Sequence, residues 1–450
     1  MSVKIIEHAT VIDGTGRDPY PATITINGDR ISAIDEQAPS DNGSGTRINA
    51  SGLTLMPGLI DAHCHMTFDE PSSNDELFFH RREALAAIIS GQNVRKLLQA
   101  GVTAFVDPDC IFDIGVDLRD AIEANVIPGP RMLSGGNALL TSVGGTAGRL
   151  IPDSGLRGYA KVVSTPDEIR TEVRRQIKMG VDWIKVHVTG LLPRQKMKGE
   201  IQAWSLDELK LVCDTAHELG VPVMGHCRDA NSIKDSVIAG MDMLLHATFM
   251  DEPTLDLVID KKVPITPTFT FQANLADHGH TVGADENLRE IFRREIEESA
   301  ELIRKAHKNG VPILCGSESG FSITPYGEWH YRELEVFVKE LGFSPLEAIS
   351  AATLQCGNHA GFEGETGSIA VGKLADFILV DGNPAADVEI LGDKSRIKSV
   401  YVGGELMNTE PLAPRKPISG WRTSQYSSSI LTKAKAQPET QLETKDKIDG

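Results

Sequence analysis

The stretch Leu59-Ile-Asp-Ala-His-Cys-His65 closes an apolar run with two imidazoles one residue apart. Side chains alternate across an extended chain, so His63 and His65 project from one face and Cys64 from the other. A strand that had only to pack would end in valine or isoleucine. Two polar rings on one side call for something to bind.

Working outward, seven more strand-like runs follow the 55–65 run, at 102–107, 130–136, 182–187, 221–227, 243–247, 263–268 and 311–317. Amphipathic stretches separate them. "TPDEIRTEVRRQIKMG" opens on Thr165-Pro166-Asp167 and stops at Gly180, and "SLDELKLVCDTAHELG" opens on Ser205 as an N-cap and stops at Gly220. Repeated β-then-α units predict an α/β chain with parallel strands, and eight of them predict a (β/α)8 TIM-like barrel. A doubly wound open sheet is the architectural alternative.

Residues 1–57 read differently, as short β pieces with Asn27-Gly28 as a hairpin signal. Such strands cannot bury their faces alone, and the matching pieces lie near 367–383 and 397–407. The pattern predicts a small β-sandwich domain built from both chain ends (1–57 and 366–410) around a barrel at 58–365. The polar stretch 411–450 has no sustained period, and is expected to be disordered or to drape over a neighbouring subunit.

Composition narrows the function classes. The 450 residues include 45 basic and 63 acidic ones, a net charge of −18 without a long basic run, so neither nucleic acid nor an anionic membrane is expected as a partner. Six well-separated cysteines form no C-x-x-C pair, which argues against a disulfide scaffold or zinc finger and fits reduced thiols. The opening "MSVKIIEHATVIDG" has no apolar signal segment, and the expected location is cytoplasmic.

A barrel carries its site at the C-terminal ends of its strands. There the sequence places His63, His65, Lys185, His187, His226, His246 and Glu318. A lone strand-end histidine is most often an ordinary hydrogen-bonded residue, but four at corresponding ends, with a lysine and an acid, form a metal-ligand set. Lys185 is harder to explain as packing, because an ammonium in an apolar strand needs a counter-charge or must lose its proton.

"PGLIDAHCH", "IKV", "GHC", "LLHATF" and "GSIAVGKLADFILVDGNP", in this order, resemble the amidohydrolase superfamily of metal-dependent hydrolases, and within it the imidazolonepropionase-like and Xaa-Pro dipeptidase-like branch. The resemblance implies a carbamylated Lys185 bridging two divalent metals, zinc first, with cobalt, manganese or iron as alternatives. It implies His63 and His65 at the more buried metal and His226 and His246 at the more exposed one. A metal-bridging hydroxide would attack a carbonyl. Lys185, His246 and Glu318 are the implied catalytic residues.

Three positions depart from the family pattern. Gly316-Ser317-Glu318 replaces Gly-Thr-Asp, making Glu318 the implied proton shuttle and a candidate ligand. Arg228 stands where a second histidine often follows the strand-five ligand, and Gly144-Gly145-Thr146 replaces a Gly-Gly-His turn. These deviations are similar to the side branch of phenylurea and thiocarbamate herbicide hydrolases. Arg228, His187, Tyr326 and Trp329 are the expected substrate contacts.

The expected activity is hydrolysis of a C–N bond in a small amide, urea or carbamate by a homo-oligomer. The alternatives are an N-acyl amino acid or dipeptide hydrolase, a deaminase and a noncatalytic barrel scaffold. Asp229, three residues after His226, has the deaminase spacing, whereas Lys185 argues against that reading.

Overall fold

The computed structural model describes residues 3–36, 45–73, 77–78, 82–145, 148–191 and 200–414. Thr146 and residues 415–450 of the polar stretch lie outside them.

Alternating apolar residues at the two chain ends form one hydrogen-bonded network of eight strands. Val3–Val11, Tyr20–Asn27, Arg30–Asp35, Thr46–Asn49 and Thr54–Pro57 come from the start. Phe377–Val380, Ile397–Val402 and Glu405–Leu406 come from the far end. The seam between the ends is antiparallel, with Leu55 opposite Leu379 and Pro57 opposite Phe377. Ile6, Val11, Ile24, Ile26, Leu55 and Phe377 fill its apolar side, where the Phe377 and Tyr401 rings stack 4.5 Å apart. The hairpin falls one residue later than the Asn27-Gly28 signal. Asn27 pairs with Arg30, leaving Gly28-Asp29 as the two-residue loop, and Gly28 takes the positive φ (66°) that this turn requires.

The middle of the chain alternates parallel strands with helices. The helix ends follow local chemistry. In Pro166–Met179 the Thr165 side chain accepts from the Glu168 amide, and Gly180 closes the helix at φ 94°. Ser205 and Glu208 form a reciprocal capping box at the start of Leu206–His217.

The parallel ladders form separate sheets of three and six strands rather than one continuous eight-stranded ring. Leu59–Asp61, Val102–Asp107 and Arg131–Ser134 make the first. Ile184–His187, Val223–Cys227, Met243–His246 and Ile265–Thr266 run side by side in the second, beyond the short strands Leu139–Leu140 and Lys161–Val162. A single parallel bridge joins them at one side, Gly135 with Trp183, and at the other side Ile265 bridges to Ile313, outside both sheets. The expected strand at 311–317 pairs only through isolated contacts. Among these the Leu314 amide donates to Ile265, and the Ala62 amide donates to Cys315, returning to the first strand.

Close backbone approach fixes residue type where the 316–320 segment meets the first strand. A Cβ on Gly316 would sit 2.5 Å from Thr266 Cγ2 and 2.7 Å from His63 Cβ. Arg131 anchors the chain-end sheet to the parallel strands through a 2.7 Å ion pair with the fully buried Asp376. All six cysteines are buried and unpaired, and among the described residues no helix is long and apolar enough to cross a membrane.

Candidate metal centre

Strand register brings the polar side chains together. His187 lies opposite His226, and Cys227 lies opposite His246 on adjacent parallel strands. The imidazoles form a contiguous row. Ring centroids are 4.8 Å apart for His63 and His65, 5.4 Å for His63 and His246, 4.3 Å for His246 and His226, and 5.2 Å for His226 and His187. All five are buried, as is Lys185, which is 1% exposed.

Three of the four expected histidine ligands, His65, His226 and His246, have one ring nitrogen occupied or faced by a protein group, whereas His63 Nδ1 is buried without a partner. His226 Nε2 lies 2.8 Å from Glu200 Oε2. His65 Nδ1 lies 3.1 Å from Asp109 Oδ1, and the other Asp109 oxygen is 3.5 Å from His187 Nε2. His246 Nδ1 is hydrogen-bonded to Thr268 Oγ1, which leaves Nε2 buried without a partner. A carboxylate or hydroxyl behind an imidazole fixes its tautomer and aims the other nitrogen, as in metal sites.

Part of the row converges. His63 Nε2 and His65 Nε2 are 3.1 Å apart, and one ligand atom each from His63, His246 and Glu318 lies within 4.8 Å of the others. His246, Thr268 and Glu318 all have positive φ (69°, 56° and 52°), an uncommon backbone state for non-glycine residues that clusters at this strand-end layer.

Electrostatics fits ligands that bind a cation through neutral nitrogen. Burial, then the Lys185 charge, pushes the His63 imidazole well below its usual range, and burial with the neighbouring His226 and His63 does the same to His246. Burial brings His226 down to about 4. Lys185 is lowered by burial against the opposing pull of Asp109 and Glu318, so part of the cost of an ammonium is already felt there. Burial raises the Glu318 carboxyl, which favours its holding a proton. The donor set fits a divalent cation, and among the described residues His63, His246 and Glu318 come close enough together to share one.

Ser317 owes its place to Asp61, whose carboxylate accepts the His63 and Ser317 amides (3.0 Å each) and the Ser317 hydroxyl. His330 Nδ1 lies 2.6 Å from the same carboxylate. Two of the expected substrate contacts are engaged within the protein. Tyr326 is 2% exposed, and its hydroxyl donates to the His65 carbonyl (2.6 Å) while accepting the Asp69 amide, so it props the strand end from behind. Trp329 packs on His278 and Tyr331. Phe68 is stacked on His65 at 4.3 Å, and half-buried Phe321 lies edge-on to His65 at 5.7 Å. Arg228 is ion-paired to Glu200 and Glu295, not to Asp229, which caps the helix Ala230–Ala239.

Residues 54–407 match the model of the Amidohydrolase family. The chain belongs to that family. Ochratoxinase from Aspergillus niger is 27% identical over 438 residues, covering 92% of this chain and 88% of that protein. The solved structure of a Xaa-Pro dipeptidase with methionine bound in its active site superposes with a TM-score of 0.76 at 28% identity, over 90% of this chain and all of that one (100%). Phenylurea hydrolase B shares the fold, with a TM-score of 0.75 at 24% identity over 92% of this chain and 100% of that one. This amidohydrolase is therefore an enzyme that hydrolyses C–N bonds.

Asp107, Asp109, Glu200, Phe68 and Phe321 were not among the expected site residues. The same spacing that singles out His63 and His65 also marks Asp107 and Asp109 at the end of Val102–Asp107, a signal the histidine-centred reading passed over. Glu200 has no comparable sequence signal, because its loop has no period to fix its direction.

Proposed function

We propose that this amidohydrolase cleaves the C–N bond of a small uncharged amide, urea or carbamate at a metal centre in the mouth of a (β/α)8 barrel. The two bridged parallel sheets are read as that barrel (58–365), and the chain-end strands as the small β domain (1–57 and 366–410). The observation that carries the reading is the row of buried histidines, with His65, His226 and His246 each backed at one nitrogen by a protein group, near Lys185 and Glu318.

When bound, divalent cations there supply Lewis-acid polarisation of the carbonyl and lower the pKa of an attacking water. Lys185 is proposed to serve as a carbamylated ligand, which would turn its disfavoured buried ammonium into an anion suited to hold cations. Glu318 is proposed to receive the proton from the attacking water and return it to the leaving nitrogen; burial already raises its proton affinity. Phe68 and Phe321 present aromatic surface beside His65 for an apolar substituent.

Likeness to the Xaa-Pro dipeptidase and to ochratoxinase supports a second reading, an N-acyl amino acid or dipeptide hydrolase. Elemental analysis combined with hydrolysis assays on phenylureas, carbamates and N-acyl amino acids tests both. Activity on the neutral compounds, lost on chelation and restored by zinc, is expected; ammonia release from aminated heterocycles without amide cleavage would overturn the proposal in favour of a deaminase.

A further inference from the structure

An arginine two residues beyond a metal-site histidine is an obvious receptor for a substrate carboxylate, since its fork matches that group. Arg228 has already met its match. Its Nε lies 3.3 Å from Glu200 Oε1, and Nη2 is paired with Glu295 Oε1. Both acids are themselves anchored: Glu200 by His226 Nε2 (2.8 Å) and the Thr189 hydroxyl (2.9 Å), Glu295 by the Gln272 side-chain amide (3.2 Å). The guanidinium and both carboxylates are largely buried, with side-chain exposures of 13%, 12% and 9%.

Two anions surround one cation, so the cluster carries a formal charge of −1. A carboxylate arriving on the substrate would either become a third anion around Arg228 or displace one of the two already there, leaving a buried charge unpaired. Either course is costly in a low-dielectric site. The cluster adjoins the reacting centre: Arg228 acts electrostatically on both Glu318 and His246, and Glu200 touches His226 directly.

We infer that Glu200 and Glu295 set the substrate class: by neutralising Arg228 they make the site reject a carboxylate next to the scissile bond and accept its uncharged counterpart. This rests on the hydrolase reading above and decides between its two forms, against N-acyl amino acids and dipeptides. Glu295 acts through Arg228 and is a positioning residue; it has no direct part in bond cleavage.

The test uses the metal-loaded, full-length protein and a matched pair, N-acetyl-phenylalanine and N-acetyl-phenylalaninamide. Their affinities are measured by titration calorimetry and their cleavage by acetate release. The carboxamide is expected to bind at least about tenfold more tightly, the size of effect that one like-charge contact produces. Glu295→Gln, which frees the guanidinium, is expected to shrink that ratio at least about fivefold by tightening the carboxylate alone. The wild-type comparison stands by itself if the variant does not fold.

Equal affinity, including no measurable binding of either compound, overturns the inference, as does preference for the carboxylate. Cleavage of the carboxylate with the higher kcat/KM overturns it while upholding the hydrolase. Tighter carboxamide binding without acetate release from any compound upholds the inference and counts against the hydrolase reading.

Discussion

The two flanks of the histidine row use one device in opposite surroundings. On the His65 side, Asp109 backs the imidazole, and the next layer is aromatic, with Phe68 stacked on the ring and Phe321 at its edge. On the His226 side, Glu200 backs the imidazole, and the next layer is charged, with Arg228 and Glu295. A carboxylate behind each ring aims it. The surroundings differ, with aromatic rings on one flank and a paired ion cluster on the other.

The Lys185 charge acts on His63, His226 and His246, so its loss should disturb both flanks at once. Lys185→Ala is expected to lose bound metal together with activity, measured by elemental analysis and turnover; near-normal turnover would remove Lys185 from the centre. Next in size is Glu318→Gln, expected to keep fold and metal while turnover falls by about 10²–10⁴-fold, the usual range for losing a positioned proton-transfer group. Unchanged turnover would free Glu318 of that role.

Asp109→Asn and Glu200→Gln separate the flanks. Each is expected to weaken metal affinity by about 10–100-fold, as losing the group behind a ligating histidine does, and each should leave one ion more firmly held than the other. Metal titrations resolve this, and identical losses of both ions in both variants would erase the distinction.

The smallest effect concerns acid. His226 is held down to about 4 chiefly by burial, below the usual 6.5, so between these values the unfolded chain binds a proton that the folded one does not. Stability of the metal-free protein should therefore fall as pH drops from about 6.5 to about 4. His226→Gln should flatten that slope in thermal denaturation. A slope unchanged by the substitution would place the titration elsewhere.

Much of this was legible in the sequence because it rests on local rules. Alternation put His63 and His65 on one face, strand-end position selected Lys185, His226, His246 and Glu318, and capping residues marked the helices at Thr165 and Ser205. The split ladders were not legible, since the 311–317 run is apolar enough for a strand but joins its neighbours only by isolated bridges. Nor were the partners of Arg228. Glu200 lies on a loop and Glu295 within the helix Glu286–Lys308, and no periodic pattern ties either to the end of Val223–Cys227. Tyr326 and Trp329 looked like pocket walls from chain position alone, whereas Phe68 and Phe321 reach His65 through folds of loop that one sequence does not determine.

The central claim is that buried, neutral imidazoles and Lys185 hold a catalytic metal centre. Elemental analysis of the purified protein, paired with activity before and after chelation, tests it most directly. The account predicts two divalent ions per chain, with activity lost on chelation and regained on adding zinc, cobalt or manganese. Less than one ion per chain, with no activity gained on metal addition, would contradict it.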